Sequence, residues 1–265
     1  MGKRGMKPHL ARIRVYPIKS LDPLELERVG LASGVRLAGD RDYALLDARG
    51  RFLNAKRLGP KILAIRAAFS DRARAVELAL GSASGRFELP GERAALEAWF
   101  GRVLGQAVSL QQDSLAGFPD DEDASGPTVI GSASIDAVAE WFGLAADEVR
   151  RRFRANLEIA GLGPFEEDTL FGPPGKPKTF RIGEVSFLGV NPCRRCAVPT
   201  LDSRGNSSAA ALSVKEFSAL RERHARAGTS LALYPGYYRL AVNTRIEPLQ
   251  AGKQLVVGDE LTVAE

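Results

Sequence analysis

Hydrophobic and polar residues alternate along several short stretches of this sequence. Ala11, Ile13 and Val15 are separated by arginines, which is the period of two of a half-buried β-strand. Pro17 ends this pattern, because proline has no N–H to donate to a strand ladder. Similar patterns predict strands at 62–69, 157–159, 185–190, 238–242 and 255–263, and hairpins over 43–53 and 76–89.

Other stretches have the spacing of helices. Apolar residues between 96 and 104 recur at intervals of three and four, so they share one helix face. A second helix is predicted to start at Ser134, a residue type that favours the N-cap position. Further helices are predicted at 147–152 and 214–224. Strands and helices together predict an α+β protein that is mainly β.

The composition changes over residues 114–127, which are rich in Gly, Pro and Ser and include four consecutive acids at 120–123. Such a stretch is typical of a loop or a domain boundary, so we predict one domain at 8–112 and a second at 113–265. The acid run is interpreted as a solvated loop. A calcium loop is the alternative, but the ligand spacing of an EF-hand is absent.

The overall composition narrows the class of protein. The 265 residues are 45% hydrophobic and 26% charged, which is ordinary for a globular protein. Lys and Arg outnumber Asp and Glu by 37 to 32, which favours anionic partners. No nucleic-acid-binding motif accompanies this charge, so nucleic acid is not expected as a partner. No membrane span and no secretory signal are evident, so we expect a cytoplasmic protein without membrane contact.

The two cysteines of the chain, Cys193 and Cys196, form one CxxC motif that encloses two arginines. The arginines favour a negatively charged sulfur, so these thiols are expected to be reactive or good ligands. Four interpretations stay open on local grounds: a structural pair, a thioredoxin-like redox pair, half a zinc site, or a single thiolate ligand to a soft transition metal. The zinc interpretation lacks a second CxxC, and the two histidines lie far away in the sequence.

Two basic segments are candidates for binding an anion. Lys19 and Ser20 follow the first strand, where a lysine and a hydroxyl can face a ligand from a rigid platform. The alternative is an exposed turn. The segment 150–154 contains four arginines, and we expect most of them to be solvated. One of them directed at an anion fits the two-pronged match of guanidinium to phosphate.

Seven short segments stand out along nearly the whole chain: YPIKS at 16–20, GDRDY at 39–43, NAK at 54–56, IGSASI at 130–135, FRAN at 153–156, PFEED at 164–168 and NPCRRCAVPTLD at 191–202. Together and in this order, they resemble motifs of the MOSC family. The family includes the C-terminal domain of molybdenum cofactor sulfurases and the mitochondrial amidoxime-reducing components. The resemblance implies an N-terminal β-barrel-like module followed by a MOSC β-barrel with peripheral helices.

The resemblance also implies a molybdenum cofactor, a molybdenum-bound pterin, held between the two modules. Cys196 is implied to be the thiolate ligand of the metal and the catalytic residue. Asp202 is implied to orient the ligand loop, and Tyr238 to lie near the cofactor. The residues implied to hold the phosphate and the pterin are Lys19, Ser20, Arg41, Ser134, Arg154 and Asn156. Cys193 is expected to be a small core or loop-stabilising residue, and a redox role for it stays open.

The implied activity is an oxidoreductase that reduces N-hydroxylated or related S–O small molecules with electrons from a separate protein. Arg194 departs from the family pattern, because relatives with reductase activity usually carry a small residue there. Its guanidinium is expected to contact the phosphate or to alter access to the metal. The alternative function is a carrier of cofactor or sulfur that turns over no small molecule.

Overall fold

The computed structural model describes residues 7–33, 35–70, 73–206, 211–247 and 249–263. Residues 1–6, which belong to the segment considered for a targeting signal, lie outside these ranges. Strands predominate over helices, which confirms the α+β, mainly β, fold class. No helix in the described ranges is long and apolar enough to cross a membrane.

The strands of the described chain are β1 (His9–Val15), β2 (Leu24–Leu26), β3 (Arg28–Ala32), β4 (Arg36–Leu37), β5 (Tyr43–Leu46), β6 (Arg66–Phe69), β7 (Ala75–Leu80), β8 (Ala83–Glu88), β9 (Ser109–Gln112), β10 (Val129–Gly131), β11 (Leu157–Ala160), β12 (Lys178–Ile182), β13 (Val185–Arg194), β14 (Arg239–Ile246), β15 (Gln254–Val256) and β16 (Leu261–Val263). The helices are α1 (Ala55–Leu58), α2 (Pro60–Leu63), α3 (Arg93–Leu104), α4 (Ser132–Phe142), α5 (Ala146–Phe153) and α6 (Val214–Arg223).

Eight strands form the largest sheet, in the order β16-β12-β13-β14-β10-β11-β1-β2. The β10–β11 pair is parallel and the other pairs are antiparallel. Phe180, Phe187 and Val242 are fully buried in its core. Within the described residues, regular pairing leaves β16 and β2 as the sheet ends, so no continuous ladder closes the expected barrel. A single bridge joins His9 of β1 to Glu260, next to β16.

The first strand departs from simple alternation. Leu10, Ile13 and Val15 are buried, whereas Ala11, predicted to face the core, is only half-buried. The pairing of β1 with β11 shifts register between Leu10 and Arg12. Such an irregularity inserts a residue and changes which side chains face the core, so a strict period of two fails at this point.

Two further cores complete the molecule. Three small sheets, β6-β7-β8, β5-β9 and β15-β3-β4, accompany the large one. Trp99 and Phe100 of α3 fill a core with the first two of these small sheets. Helices α4, α5 and α6 bury Ile135, Val149 and Phe217 in a third core.

Three predicted elements are wrong in part. The strand predicted at 62–69 begins only at Arg66, because Pro60 opens the short helix α2. Strand β5 pairs along its length with β9 and meets the segment 51–53 through a single Leu46–Phe52 bridge. The strand predicted at 255–263 is divided into β15 and β16 by a turn in which Gly258 has a φ of 100°.

The other predicted elements and the predicted domain boundary can be compared with the structure in the same way. The hairpin of β7 and β8 is present, and residues 114–127 form turns and bends as predicted. Strand β1 lies between β11 and β2, so the start of the chain belongs to the sheet built mainly from its second half. The domain boundary between 112 and 113 stays a prediction.

Candidate functional site

A cleft of about 600 Å³ is lined by residues from both halves of the chain. Eight lysines and arginines and four carboxylates face it, so its lining is basic. A basic concave surface favours anionic ligands. Seven of the ten sequence-predicted site residues are among the lining residues: Lys19, Ser20, Arg41, Arg154, Asn156, Arg194 and Cys196.

Four of the basic residues in the cleft, Lys19, Arg41, Lys56 and Arg154, form a group that we call the lysine cluster. The alternative considered for Lys19, an exposed turn, is wrong. Its side chain is only 10% exposed, and residues that precede it in the chain are buried. Burial lowers the pKa of Lys19, and Arg41 lowers it further although Asp120 opposes the shift. Cations held this close together in a partly dry site favour a bound anion.

The ring of Tyr16 joins two members of the lysine cluster. The Arg154 guanidinium carbon lies 4.1 Å from the ring centroid, and that of Arg41 lies 5.5 Å away. Both distances are typical of cation–π contacts. Arg154 also donates from Nη2 to the carbonyl of Leu21 at 2.7 Å. The buried tyrosine therefore holds two guanidiniums that come from segments far apart in sequence.

The backbone at the cleft is strained. Ser20 (φ 75°), Arg41 (φ 54°) and Arg154 (φ 54°) all have left-handed conformations. This region costs an L-residue about 1–2 kcal/mol and is usually occupied by glycine. Arg154 caps the C-terminus of α5, where its N–H donates to the Arg150 carbonyl at 3.0 Å. Strained residues concentrate at functional sites, which supports a binding role for this cleft.

The acidic loop, residues 118–122, covers the lysine cluster. Lys19 donates from Nζ to the carbonyls of Phe118 at 2.9 Å and Pro119 at 3.1 Å. Asp120 Oδ1 lies 3.1 Å from Lys19 Nζ and 3.6 Å from Lys56 Nζ. Partial burial opposes ionisation of Asp120, but Lys19, Arg41 and Lys56 hold its pKa well below its usual range. The acid run is solvated as predicted, since Asp120, Glu122 and Asp123 are exposed, but the Asp120 carboxylate also pairs with two lysines.

The CxxC motif lies at the end of β13. Cys193 and Arg194 belong to that strand, and Cys196 follows in a loop with its side chain exposed. Arg195 Nη1 lies 3.0 Å from Cys193 Sγ, and Nη2 donates to the carbonyl of Phe153. The Arg195 N–H donates to the carbonyl of Tyr238 at 3.0 Å. Cys193 therefore takes part in the packing of the loop, whereas Cys196 is available to a ligand.

Tyr238 lies beside this loop, although it does not line the cleft. Its ring meets that of Phe217 edge-on, with centroids 5.2 Å apart. Its hydroxyl is buried and has no hydrogen-bond partner among the described residues. Burial raises the pKa of Tyr238 to about 12, and Cys196 adds to the rise while Arg195 and Arg152 oppose it.

Arg152 lines the same cleft, and the sequence analysis did not single it out. Its side chain is 2% exposed, and Nε donates to Glu148 Oε1 at 2.6 Å. Nη2 lies 3.8 Å from Asp202 Oδ2. The expectation that most of the arginine run is solvated is wrong, because carboxylates at Glu148 and Glu158 pair with it. We call Arg152, Cys193, Arg195, Cys196 and Tyr238 the thiol cluster.

The structure places two predicted site residues, Ser134 and Asp202, outside the cleft lining. Ser134 is not the N-cap, because α4 begins at Ser132 with Gly131 as its cap. Ser134 is fully buried outside the cleft and donates to Glu167 Oε2 at 2.6 Å. Asp202 also lies outside the cleft lining, and its Oδ1 accepts from the Arg204 N–H at 2.9 Å in the turn after the ligand loop.

Asn156 reaches the cleft but is bound to the backbone. Its Nδ2 donates to the Arg14 carbonyl at 3.0 Å, and its Oδ1 accepts from the Thr128 N–H at 3.1 Å. These contacts fasten β1 to the segments next to it. A ligand would meet Asn156 mainly as a fixed wall of the cleft.

A site made of protein ligands alone is not supported. Across the described ranges, no group of three or more His, Cys, Asp or Glu side chains is placed to hold a metal ion. The calcium loop and the zinc site considered from sequence therefore lack a ligand set in this part of the chain.

Comparison with known protein families gives two matches. Residues 7–144 match the model of the MOSC N-terminal beta barrel domain, and residues 123–262 match that of the MOSC domain. No curated protein matches the chain significantly. The two matched regions overlap over 123–144 and together span all the segments that line the cleft.

Proposed function

This chain belongs to the MOSC domain family, whose members are associated with molybdenum cofactor binding, and from this premise we propose that it binds a molybdenum cofactor in the cleft and uses it to reduce N-hydroxylated or related S–O compounds. The observation that carries the proposal is the single cleft that contains both an exposed thiol, Cys196, and the lysine cluster. A polyanionic ligand with a soft metal needs both features.

The chemistry of the lining residues fits such a cofactor. The lysine cluster offers ammonium and guanidinium groups for a phosphate. Cys196 offers one thiolate, which a soft transition metal prefers to a carboxylate. Buried donors without partners lie beside the thiol at Tyr238 and Arg152.

The roles of the chain's own residues follow from these contacts. Lys19, Arg41 and Arg154 would bind the phosphate, and Tyr16 keeps the two guanidiniums oriented toward the cleft. Cys196 would hold the metal, and Arg195 fixes the loop that carries it. Arg194 is exposed next to Cys196 and lines the cleft, so it would limit how closely a bulky substrate approaches.

When bound, the cofactor would supply a metal that changes oxidation state and accepts an oxygen atom. Reduction of an N–OH group to N–H consumes electrons and protons and releases water. The whole sequence contains only two cysteines, so this chain lacks the four-cysteine set of an ordinary iron–sulfur cluster. We therefore assign the electrons to a separate donor protein.

Metal analysis and turnover test the proposal together. Protein produced with an active cofactor pathway is expected to contain stoichiometric molybdenum and, with a chemical reductant, to convert benzamidoxime to the amidine. Cys196→Ser should lose both, because a hydroxyl is a poor ligand for a soft metal. Cys193→Ser is the matched control and should keep the metal.

Two results would contradict the proposal. If both serine variants keep full molybdenum, Cys196 is not the ligand. If fully loaded protein reduces no N–O or S–O compound but passes cofactor or sulfur to another protein, the carrier function replaces the reductase.

A further inference from the structure

Three buried donor atoms in the thiol cluster have no hydrogen-bond partner among the described residues. They are Arg152 Nη1, Arg195 Nε and the Tyr238 hydroxyl. Buried polar groups in proteins are nearly always paired, and one left unpaired destabilises the folded state. All three are hydrogen-bond donors, so the missing partner is an acceptor.

The three side chains belong to one neighbourhood. The Arg195 N–H donates to the Tyr238 carbonyl at 3.0 Å, and Arg195 Nη2 donates to the carbonyl of Phe153, the residue after Arg152. Arg152, Arg195 and Cys196 also line the cleft. A ligand that reaches Cys196 therefore meets the side chains of Arg152 and Arg195, whereas Tyr238 lies outside the lining.

The guanidinium of Arg152 is held in a fixed position. Glu148 accepts from its Nε at 2.6 Å, and Asp202 lies 3.8 Å from its Nη2. Glu148 is itself fixed, because it accepts from both the N–H and the hydroxyl of Ser203. The Nε hydrogen bond and the Asp202 carboxylate hold the guanidinium from one side, and Nη1 is a buried donor without a partner among the described residues.

The local charge favours an anion. Arg152 pairs with the carboxylates of Glu148 and Asp202, whereas no carboxylate among the described residues lies within salt-bridge distance of Arg195. The Arg195 guanidinium is therefore an uncompensated positive charge. Such a cation beside further donors favours an oxyanion, because hydrogen bonds from a charged donor to an anionic oxygen are stronger than those between neutral groups.

We propose that Arg152, with the Arg195 Nε and the Tyr238 hydroxyl, forms an oxyanion subsite beside Cys196 that binds the negatively polarised oxygen group of the substrate. This assignment rests on the proposed function for the identity of the ligand as substrate. The subsite is separate from the lysine cluster, in which Asp120 pairs with Lys19 and Lys56 and the acidic loop accepts a hydrogen bond from Lys19.

Sulfate binding to the cofactor-free protein tests the subsite without any turnover. Lys19→Ala weakens the lysine cluster, so calorimetric titration of that variant with sulfate reports mainly on the thiol cluster. Adding Arg152→Lys keeps the positive charge beside Glu148 but removes Nη1, and should weaken sulfate binding about tenfold or more. Arg151→Lys is the matched control, because Arg151 also pairs with Glu148 but does not line this cleft. It should leave the affinity unchanged.

Thermal unfolding checks that each variant is folded, and Arg152→Gln provides a second variant if Arg152→Lys is not. The subsite is refuted if Lys19→Ala binds sulfate equally well with and without the change at Arg152. It is also refuted if Arg151→Lys weakens binding as much, since the effect then comes from the Glu148 network.

The same titration on cofactor-loaded protein distinguishes the source of the oxyanion. If the subsite takes a substrate oxygen, sulfate still binds to the loaded protein and competes with substrate. If sulfate binds only to the empty protein, the cofactor's own oxygens fill the subsite and the assignment to substrate is wrong. Failure of molybdenum to bind would overturn the proposed function but would leave the result on the empty protein intact.

Discussion

Asp120 is the residue whose removal tests the anionic character of the cleft most sharply. Its carboxylate lies 3.1 Å from Lys19 Nζ and 3.6 Å from Lys56 Nζ, where a ligand phosphate is expected to bind. Asp120→Asn keeps the size of the side chain and removes the charge. The empty protein should become less stable, while anion binding should become tighter.

The magnitudes follow from the exposure of the groups. The Asp120 side chain is 53% exposed, so solvent screens it, and each pair is worth at most about 1 kcal/mol. Loss of both pairs should lower the free energy of unfolding by roughly 1–2 kcal/mol. A phosphate that no longer meets a carboxylate a few ångströms away gains roughly 1–3 kcal/mol, which is about tenfold or more in affinity.

The assay measures two quantities on the same variant. Chemical denaturation gives the stability of the cofactor-free protein, and calorimetry gives its affinity for a phosphate monoester at low salt. Asp123→Asn is the matched control, because it makes the same charge change just after the acidic loop and outside the cleft lining. It should change the affinity little, and added salt should reduce the Asp120 effect. If Asp120→Asn weakens phosphate binding, the carboxylate supports the ligand rather than competing with it, and the reasoning is refuted.

Three further predictions address single residues. In chemical denaturation, cofactor-free Arg154→Gly should be about 1 kcal/mol more stable than Arg154→Ala, because glycine relieves the left-handed strain. Both variants should lose molybdenum. Equal stabilities would contradict the strain argument. Arg194→Ser should raise turnover of bulky substrates without changing molybdenum content, and a fall in content would show that Arg194 binds the cofactor. Burial and the nearby Asp168 raise the pKa of Glu167 from 4.5 to about 7. Between these two pH values, the folded state keeps a proton on Glu167 that the unfolded state has released. Stability should therefore fall by roughly 2–3 kcal/mol as the pH rises from 4.5 to 7, and Glu167→Gln should remove this slope in denaturation curves, whereas Glu166→Gln should not.

The sequence predicted that the site combines basic residues with a thiol, but it did not predict every residue that lines the cleft. Seven residues carried over from the family motifs meet in one cleft, because those motifs record positions that a fold must bring together. Ser134 lies outside the cleft, and its hydroxyl instead donates to Glu167. A serine that opens a helix and one that lies in its first turn look alike in sequence, since both precede an apolar face.

Arg152 was missed for a different reason. Four arginines in five positions look solvated when only their charge is considered. The partner that buries Arg152 is Glu148, four residues earlier on the same helix face, and this spacing was visible in the sequence. The second carboxylate, Asp202, lies fifty residues away, and only the fold brings it near. Local pairing was predictable, but the tertiary partner was not.

The fold departed from the predicted elements where backbone geometry overrides the hydrophobic pattern. The register shift in β1 and the turn at Gly258 both change the chain's course without changing its run of apolar residues. Periodicity reports which side chains are apolar, and it carries no information on an inserted residue or a change of strand partner. The pairing of β1 with β11 joins segments far apart in the sequence, so local periodicity cannot predict it.

Several departures from ordinary local rules coincide in this one cleft. Left-handed arginines, mutually repelling cations and buried donors without partners each cost free energy in the empty protein. A ligand that supplies negative charge and hydrogen-bond acceptors removes several of these costs at once, so it binds the folded state selectively and stabilises it by mass action. In the empty protein, the Asp120 carboxylate pairs with Lys19 of the lysine cluster, where the ligand is expected to bind. The buried donors of the thiol cluster have no such partner among the described residues. The two clusters should therefore respond differently to anions: binding at the first must displace a carboxylate, and binding at the second adds contacts that the empty protein lacks.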